Sequence, residues 1–403
     1  MSFRKIINDP VHGFINIEDE LIFEVIRHPY YQRLRRIHQM ALAYLVYPGA
    51  VHTRLNHSLG AYHLMAGALQ ILKNKGVEIS TREEQAAKLA ILLHDIGHGP
   101  FSHALESQLE KGLHHEDVTL MIMHKINEEM HGALSLAIDI FTGKTEKRFL
   151  HHLVSSQLDV DRMDYLIRDS FFTGVSEGVI GYDRILNMLC VHNNDLMVEE
   201  KGIQSIEKFL VSRRFMYWQV YYHKTVVCAE KMLISAMKRA RDMKIMATSE
   251  TLNSFLKHNR NLLDTRLDEL CKLDDIDVIY SIKEWTKHPD KVLSVLSKGL
   301  INRNLLKIQY FSTPVSPQML SEKRELAMKF LQINEEEVEY LVFTGEVASS
   351  TYNPGQDHIH ILFKNGMVKD ISEVDNPLIN QTLFGTIKKF YICFLNFNLH
   401  KEI

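Results

Sequence analysis

Residues 80–103, STREEQAAKLAILLHDIGHGPFSH, carry the pattern on which the fold reading turns. Ser80 and Thr81 are cap candidates, and Glu83 and Glu84 fall in the first turn that would follow, where carboxylates complement the unpaired N–H groups of a helix N-terminus. The stretch AAKLAILLH is apolar nearly all round, which marks a helix buried at the centre of a bundle. Gly97, Gly99 and Pro100 then interrupt it. His94 and Asp95 therefore stand at the C-terminal end of a buried helix, where the partial negative charge favours a cation. His98 and His103 follow closely. A neutral imidazole beside a carboxylate is the mixed donor set that suits Mn, Fe, Co, Ni or Zn, and Mg less well.

Two ligands do not make a stable site, and the flanking sequence offers more. Upstream, HTRLNHSLGAYH (52–63) puts His57 on the opening turn of a helix; downstream, SSQLDVDRMDYLIRDS (155–170) places Asp161 on another. Two histidines and two aspartates leave positions open for water and a phosphate oxygen, as catalysis requires. Of the 22 histidines, half precede residue 116, a clustering that raises the expectation of a metal or proton-transfer site.

Composition bounds the rest. Hydrophobic residues at 45% and charged residues at 24% describe an ordinary globular chain, and a net charge of -3 indicates neither nucleic acid nor membrane as a partner. The opening MSFRKIINDPVHG has no apolar signal-like core, and no run of about 18 uncharged apolar residues follows, so the expected location is cytoplasmic. Cys190, Cys228, Cys271 and Cys393 are scattered with no CxxC pair, so they read as buried hydrophobes.

The dominant period is helical from about 18 to 300, with further helices expected around 115–130, 148–170, 203–242 and 249–300. Beyond that the character changes. LLKIQYF reads as a short strand, 317–331 as a charged helix, VEYLVFTGEV and HIHILFKNGMV as a hairpin around an Asn-Gly turn, and PLINQTLFGTIKKFYICFLNF as a closing helix. The expected architecture is mainly α: a helical bundle over 1–300 followed by a small α+β region over 301–403.

The series His57, His94-Asp95 and Asp161 resembles the HD superfamily of metal-dependent phosphohydrolases. Seven ordered blocks extend the likeness to the branch that hydrolyses deoxynucleoside triphosphates: NDPVHGFI, YQRLRRIHQ, YPGAVHTRLNHSLG, HDIGHGPFSHALE, HHED, DVDRMDYLIRD and INRNLLK. The resemblance implies an HD-domain helical bundle and a divalent transition metal (Fe, Mn, Ni or Zn), with Mg as a candidate second ion. The implied reaction cuts a deoxynucleoside triphosphate to deoxynucleoside and intact inorganic triphosphate. The alternative within the superfamily is another phosphoester, a nucleoside monophosphate or a cyclic nucleotide. His103 and His115 match active-site histidines outside the metal shell; His115, beside Glu116 as tautomer-fixing partner, is the favoured proton donor, and His98 competes with it. By the same resemblance Gln39 faces the sugar, Arg54, Arg162 and Arg213 neutralise phosphate, and Tyr221 stacks near the base. Tyr165 and Asp169, at four-residue steps from Asp161 and so on its helix face, approach the sugar 3′-hydroxyl. Lys5, Asn8, Gln32 and Arg35 match an allosteric guanine-nucleotide pocket, and Arg303 and Lys307 the phosphate contacts of a second nucleotide, in a homo-oligomer that is a dimer or tetramer. Two departures stand out. Arg162 replaces a lysine, and Arg27 stands where an aspartate would read the guanine edge; an arginine cannot accept from guanine N–H groups.

Overall fold

The computed structural model describes residues 3–106, 114–257, 263–355, 357–374 and 385–397. Helices of thirteen residues or more are numbered α1 (Arg54–Asn74), α2 (Thr81–Leu93), α3 (His115–Glu129), α4 (Val160–Thr173), α5 (Ile203–Met216), α6 (Lys224–Asp242) and α7 (Pro317–Leu331). Shorter helices fill the spaces between them, and the chain is mainly helical, as expected.

The capping of α2 follows the sequence reading. Ser80 and Glu83 form a capping box in which the Ser80 N–H donates to Glu83 Oε2 at 2.8 Å. Ala86, Ala87 and the run Leu89 to Leu93 are all buried, so the helix is central rather than superficial. It packs on α1, which packs in turn on α4. Gly60 allows the second approach: a Cβ there would lie 2.0 Å from Asp164 Oδ1 and 2.1 Å from Arg168 Nη2. Asp159 caps α4 by accepting from the Arg162 N–H at 2.7 Å, and Gly174 ends it with a left-handed φ of +73°.

Before the bundle stands a hairpin that periodicity did not reveal, β1 (Lys5–Asp9) and β2 (Gly13–Ile17), paired antiparallel from Lys5↔Ile17 to Asp9↔Gly13. Asp9 builds its turn by accepting from the N–H groups of Val11 and His12. A second hairpin, β3 (Leu189–His192) and β4 (Asp195–Glu199), also went unpredicted. The expected helix over 148–170 breaks into Arg148–Val154 and α4, and 203–242 is interrupted by a π-helical turn at Tyr217–Tyr221.

The C-terminal expectations need correction. β5 (Lys307–Phe311) and α7 fall where predicted, but the closing helix does not form: Ile387–Phe394 is β9, the central strand of a sheet ordered β5-β9-β6, with β6 at Phe343–Ser349. Its β-branched and aromatic residues suit a strand paired on both sides, and that pairing decides the outcome. Residues 377–384 of the same prediction lie outside the described residues. The Asn-Gly turn at Asn365 and Gly366 joins β7 (His360–Leu362) to β8 (Val368–Asp370), so the hairpin lies wholly within the second segment, whereas β6 pairs with β9. β7 also pairs parallel with β4, Val198↔Ile361 and Glu199↔Leu362, giving a sheet ordered β3-β4-β7-β8 from strands on either side of residue 300.

Candidate active site

α1, α2 and α4 bring His57, His94 and Asp161 together with ligand atoms all within 4.8 Å of one another. His57 Nε2 lies 3.3 Å from His94 Nε2 and 3.0 Å from Asp161 Oδ1, and Asp95 Oδ1 lies 3.5 Å from His94 Nε2. Ligand atoms at right angles about one ion, each ~2.1 Å from it, would be ~3.0 Å apart. Both imidazoles are fixed from behind. His57 Nδ1 donates to Asp164 Oδ2 at 2.8 Å and His94 Nδ1 to the Ile91 carbonyl at 2.6 Å, so both Nε2 lone pairs converge on the carboxylates. Such a set of acceptors calls for a positive charge at its centre, and a divalent metal fits it. A proton is the substitute: burial opposes charge on His57, yet its hydrogen bonds to Asp161 and Asp164 lift it to about 10. Burial would likewise raise Asp161, but His57 and His94 hold it below the usual carboxylate range.

Behind His57 runs a wholly buried network. Asp164 also accepts from His12 Nε2 at 2.7 Å and from Arg168 at 2.8 and 3.0 Å, and Arg168 reaches Asp9 at 2.8 and 3.2 Å. Hairpin β1–β2 is thereby fastened to a candidate ligand. None of Asp9, His12, Asp164 and Arg168 was singled out as functional from sequence; the four-residue step from Asp164 to Arg168 was the available signal.

The segment after α2 is held on two sides. Thr119 of α3 donates to the His94 carbonyl and accepts from the Gly97 N–H, and Gly97 permits the contact because a Cβ would lie 2.2 Å from the His115 carbonyl oxygen. Phe101 and Ser102 take left-handed φ values of +53° and +49°, with the Phe101 N–H held by Asp275 Oδ1 at 2.8 Å. Arg54 anchors Asp95 through Nη1 and Ser102 through Nε at 2.9 Å.

His98 and His115 stack at 3.8 Å between centroids. Burial and the Arg54 guanidinium keep His98 well below its ordinary value, so it is neutral at pH 7 and lies 3.4 Å from Asp95. The partner that fixes His115 is chiefly Glu106, not Glu116. Glu106 Oε1 takes the backbone N–H of His115 at 2.6 Å and its Nδ1 at 3.0 Å, whereas Glu116 approaches Nε2 at 3.4 Å. Nine residues separate Glu106 from His115, too far apart for sequence adjacency to suggest the pair. His103 belongs to the short turn Ser102–Ala104, and its side chain lies outside the described residues.

A cavity of about 600 Å³ opens on this cluster and is lined by Gln39, Arg54, Asp95, His98, His115, Asp161, Arg162, Tyr165, Asp169 and Tyr221, among others. Asp169 is gripped by His52 Nε2 at 2.7 Å and the Tyr221 hydroxyl at 2.6 Å, and the His52 ring stacks on Phe172 at 4.4 Å. Arg162 pairs with Asp159. Gln39 Oε1 and Arg162 Nε are buried with no hydrogen-bond partner among the described residues, polar groups that a ligand would satisfy.

Residues 54–169 match the HD domain family and residues 180–329 its HD associated region. A crystal structure of a phosphohydrolase from Bacteroides thetaiotaomicron superposes with a TM-score of 0.94 at 47% identity, over 98% of this chain and 100% of that one. The Bacillus subtilis protein YwfO is 32% identical over 388 residues, 92% of this chain and 88% of its own. The chain belongs to the HD phosphohydrolase family. A more distant member, the deoxynucleoside triphosphate triphosphohydrolase SAMHD1 homolog of Dictyostelium discoideum, is 31% identical over 75% of this chain and 59% of its own length. HD domains bind divalent metals, and the His/Asp cluster here is one that could hold such an ion.

Some anticipated residues stand apart from the HD centre. Arg213 is not among the lining residues but sits over the ring of Tyr217, which is, at 5.7 Å, with Nη1 on the Thr351 carbonyl at 3.2 Å. Lys5 and Asn8 are on β1; Gln32 donates to the Ile26 carbonyl at 2.6 Å and accepts from Arg35 at 2.7 Å. Arg303 donates to the Leu45 carbonyl at 2.7 Å, and Lys307 opens β5. No hydrogen bond or ion pair links these two sets among the described residues. Nor, among them, is any helix long and apolar enough to cross a membrane.

Proposed function

We propose that this HD-family chain is a metal-dependent deoxynucleoside triphosphate triphosphohydrolase. The observation that carries the reading is the single cavity that unites a His/Asp metal cluster with two arginines, an unsatisfied Gln39 and the Tyr165–Asp169–Tyr221 wall. It is large enough for a nucleotide. The Dictyostelium relative is named for the same reaction.

His57, His94, Asp95 and Asp161 would hold the cation. A metal there supplies Lewis-acid polarisation of a phosphate oxygen and lowers the pKa of a water. Arg54 and Arg162 balance phosphate charge, and the orphaned Nε of Arg162 is a donor ready for an oxygen. Asp169, oriented by His52 and Tyr221, accepts from a sugar hydroxyl; Gln39 presents Oε1 to the same sugar. Water attacks the α-phosphorus, the bond to the sugar 5′-oxygen breaks, and His115 delivers a proton to that oxygen from the nitrogen not occupied by Glu106. Deoxynucleoside and tripolyphosphate leave.

Chromatography of products from the metal-loaded protein incubated with the four deoxynucleotides, singly and mixed, tests this. Deoxynucleoside with tripolyphosphate supports it; release of inorganic phosphate or pyrophosphate sinks it. Faster turnover in the mixtures would bear on the nucleotide-activated dimer or tetramer to which Lys5, Asn8, Gln32, Arg35, Arg303 and Lys307 point.

A further inference from the structure

One wall of the cavity is α6, whose Val226, Glu230 and Ile234 follow at four-residue steps and so present one face to the interior. Glu230 has no part in the chemistry above. Its carboxyl is half-buried and makes no hydrogen bond or ion pair with any described residue. Met40, Ala41 and Ala43 line the same cavity with apolar side chains, and Lys231 and Tyr222 line it as well. A carboxyl without a hydrogen bond in the wall of a ligand cavity is costly to the free protein and becomes favourable when a ligand donates to it.

The phosphate and sugar ends of the cavity are accounted for by Arg54, Arg162, Tyr165 and Asp169. Met40, Ala43, Val226 and Ile234 are apolar residues of the lining with no part in phosphate or sugar binding, and they suit the face of a base. Resting on the triphosphohydrolase reading, we propose that Glu230 reads the edge of the substrate base and favours cytosine and adenine, which carry an amino group at C4 or C6, over thymine. A carboxylate only accepts, so it is satisfied by the amino N–H of adenine or cytosine, whereas guanine sets its O6 acceptor at the same position. Thymine sets its O4 acceptor in that place. Burial pushes Glu230 up to about 7 against the attraction of Lys231 beside it, so discrimination is sharpest in mildly alkaline buffer, where the group is ionised.

The test compares 5-methyl-dCTP with dTTP on the metal-loaded full chain near pH ~8.5, above the titration of the carboxyl. The two substrates share the methyl and differ on the edge to be read, with an amino group at C4 and a bare N3 in one against an oxo group and N3–H in the other. The wild-type protein should prefer 5-methyl-dCTP in kcat/KM by about tenfold or more, the worth of one hydrogen bond to a charged acceptor. Glu230→Gln, whose amide both donates and accepts, should bring the two to near parity. Glu230→Ala serves as the second variant, and should also lose the preference. Equal kcat/KM in the wild-type protein, refusal of both pyrimidines, or a preference that survives in Glu230→Gln overturns the proposal; the wild-type comparison decides even where both variants fold badly. Reactions with dATP and dGTP run alongside show the fate of the underlying reading. Their conversion to tripolyphosphate keeps it standing while the base reader falls, whereas no hydrolysis of any nucleotide removes both.

Discussion

Replacing Arg168 with Met should weaken the fold and the metal centre together. The side chain is wholly inaccessible, and its guanidinium makes four hydrogen bonds to Asp9 and Asp164 at 2.8 to 3.2 Å. Met keeps much of the volume but leaves two buried carboxylates without their shared cation, with His12 and His57 as the other side-chain partners among the described residues. Removing one member of a buried ionic network in this way costs about 3–5 kcal/mol, a large part of the roughly 5–15 kcal/mol that keeps a protein folded. With a urea slope of about 3 kcal/mol/M, the midpoint should fall by roughly 1 to 1.7 M. Asp164 also orients the imidazole of His57, so the affinity for Mn or Zn should drop about 10- to 100-fold. Arg168→Lys keeps the charge and loses the paired geometry, and should recover part of each loss. Urea titration followed by fluorescence gives the first quantity and competition with a chelating dye the second. A variant that unfolds at the wild-type midpoint and retains wild-type metal affinity would refute the reasoning.

Three other perturbations follow from the same site. Asp161→Ala removes a carboxylate from the cluster and should abolish both metal retention and hydrolysis while circular dichroism stays unchanged; full metal content would count against the ligand assignment. His115→Gln should lower kcat about 10²- to 10⁴-fold with metal content intact, the usual worth of a positioned proton donor, and an unaltered kcat would remove His115 from that role. The third concerns pH. Glu230 titrates at about 7 in the folded chain against an ordinary value of 4.5, so between those values the folded state binds more protons than the unfolded one. The contribution to stability is therefore full below about 4.5 and lost as pH rises through about 7. Glu230→Gln should then melt higher relative to wild type at pH 8 than at pH 5, and an offset independent of pH would contradict the assignment.

Much of this was legible because buried helices write themselves in sequence. The cap at Ser80 and Glu83, the apolar run to Leu93 and the His94-Asp95 pair at its end were readable because each depends on neighbours a few residues away. His57 and Asp161 could be added by residue type, and the cavity gathers most of the residues carried over with them. What escaped depends on distant partners. Asp9 and Arg168 are far apart in sequence and meet only because Gly60 lets α1 and α4 approach. Glu106 was hidden behind the adjacent Glu116. Ile387–Phe394 was read as a helix because its pattern is ambiguous until β5 and β6 flank it. Arg213, placed on the substrate by resemblance, also holds a carbonyl of the C-terminal region, a contact no local pattern reveals.

The parallel pairing of β4 with β7 bears on how the protein can be handled. A fragment ending near residue 300 would keep every candidate metal ligand and yet lose β7, leaving the β4 edge with unpaired N–H and carbonyl groups open to other copies of itself. It would also lose Asn353 and Asp357, whose carbonyls receive the Gln157 side chain just ahead of α4. The helix that presents Asp161 is thus braced by residues almost two hundred positions further on. Fragments intended to isolate the catalytic half should be soluble only when that C-terminal brace is retained.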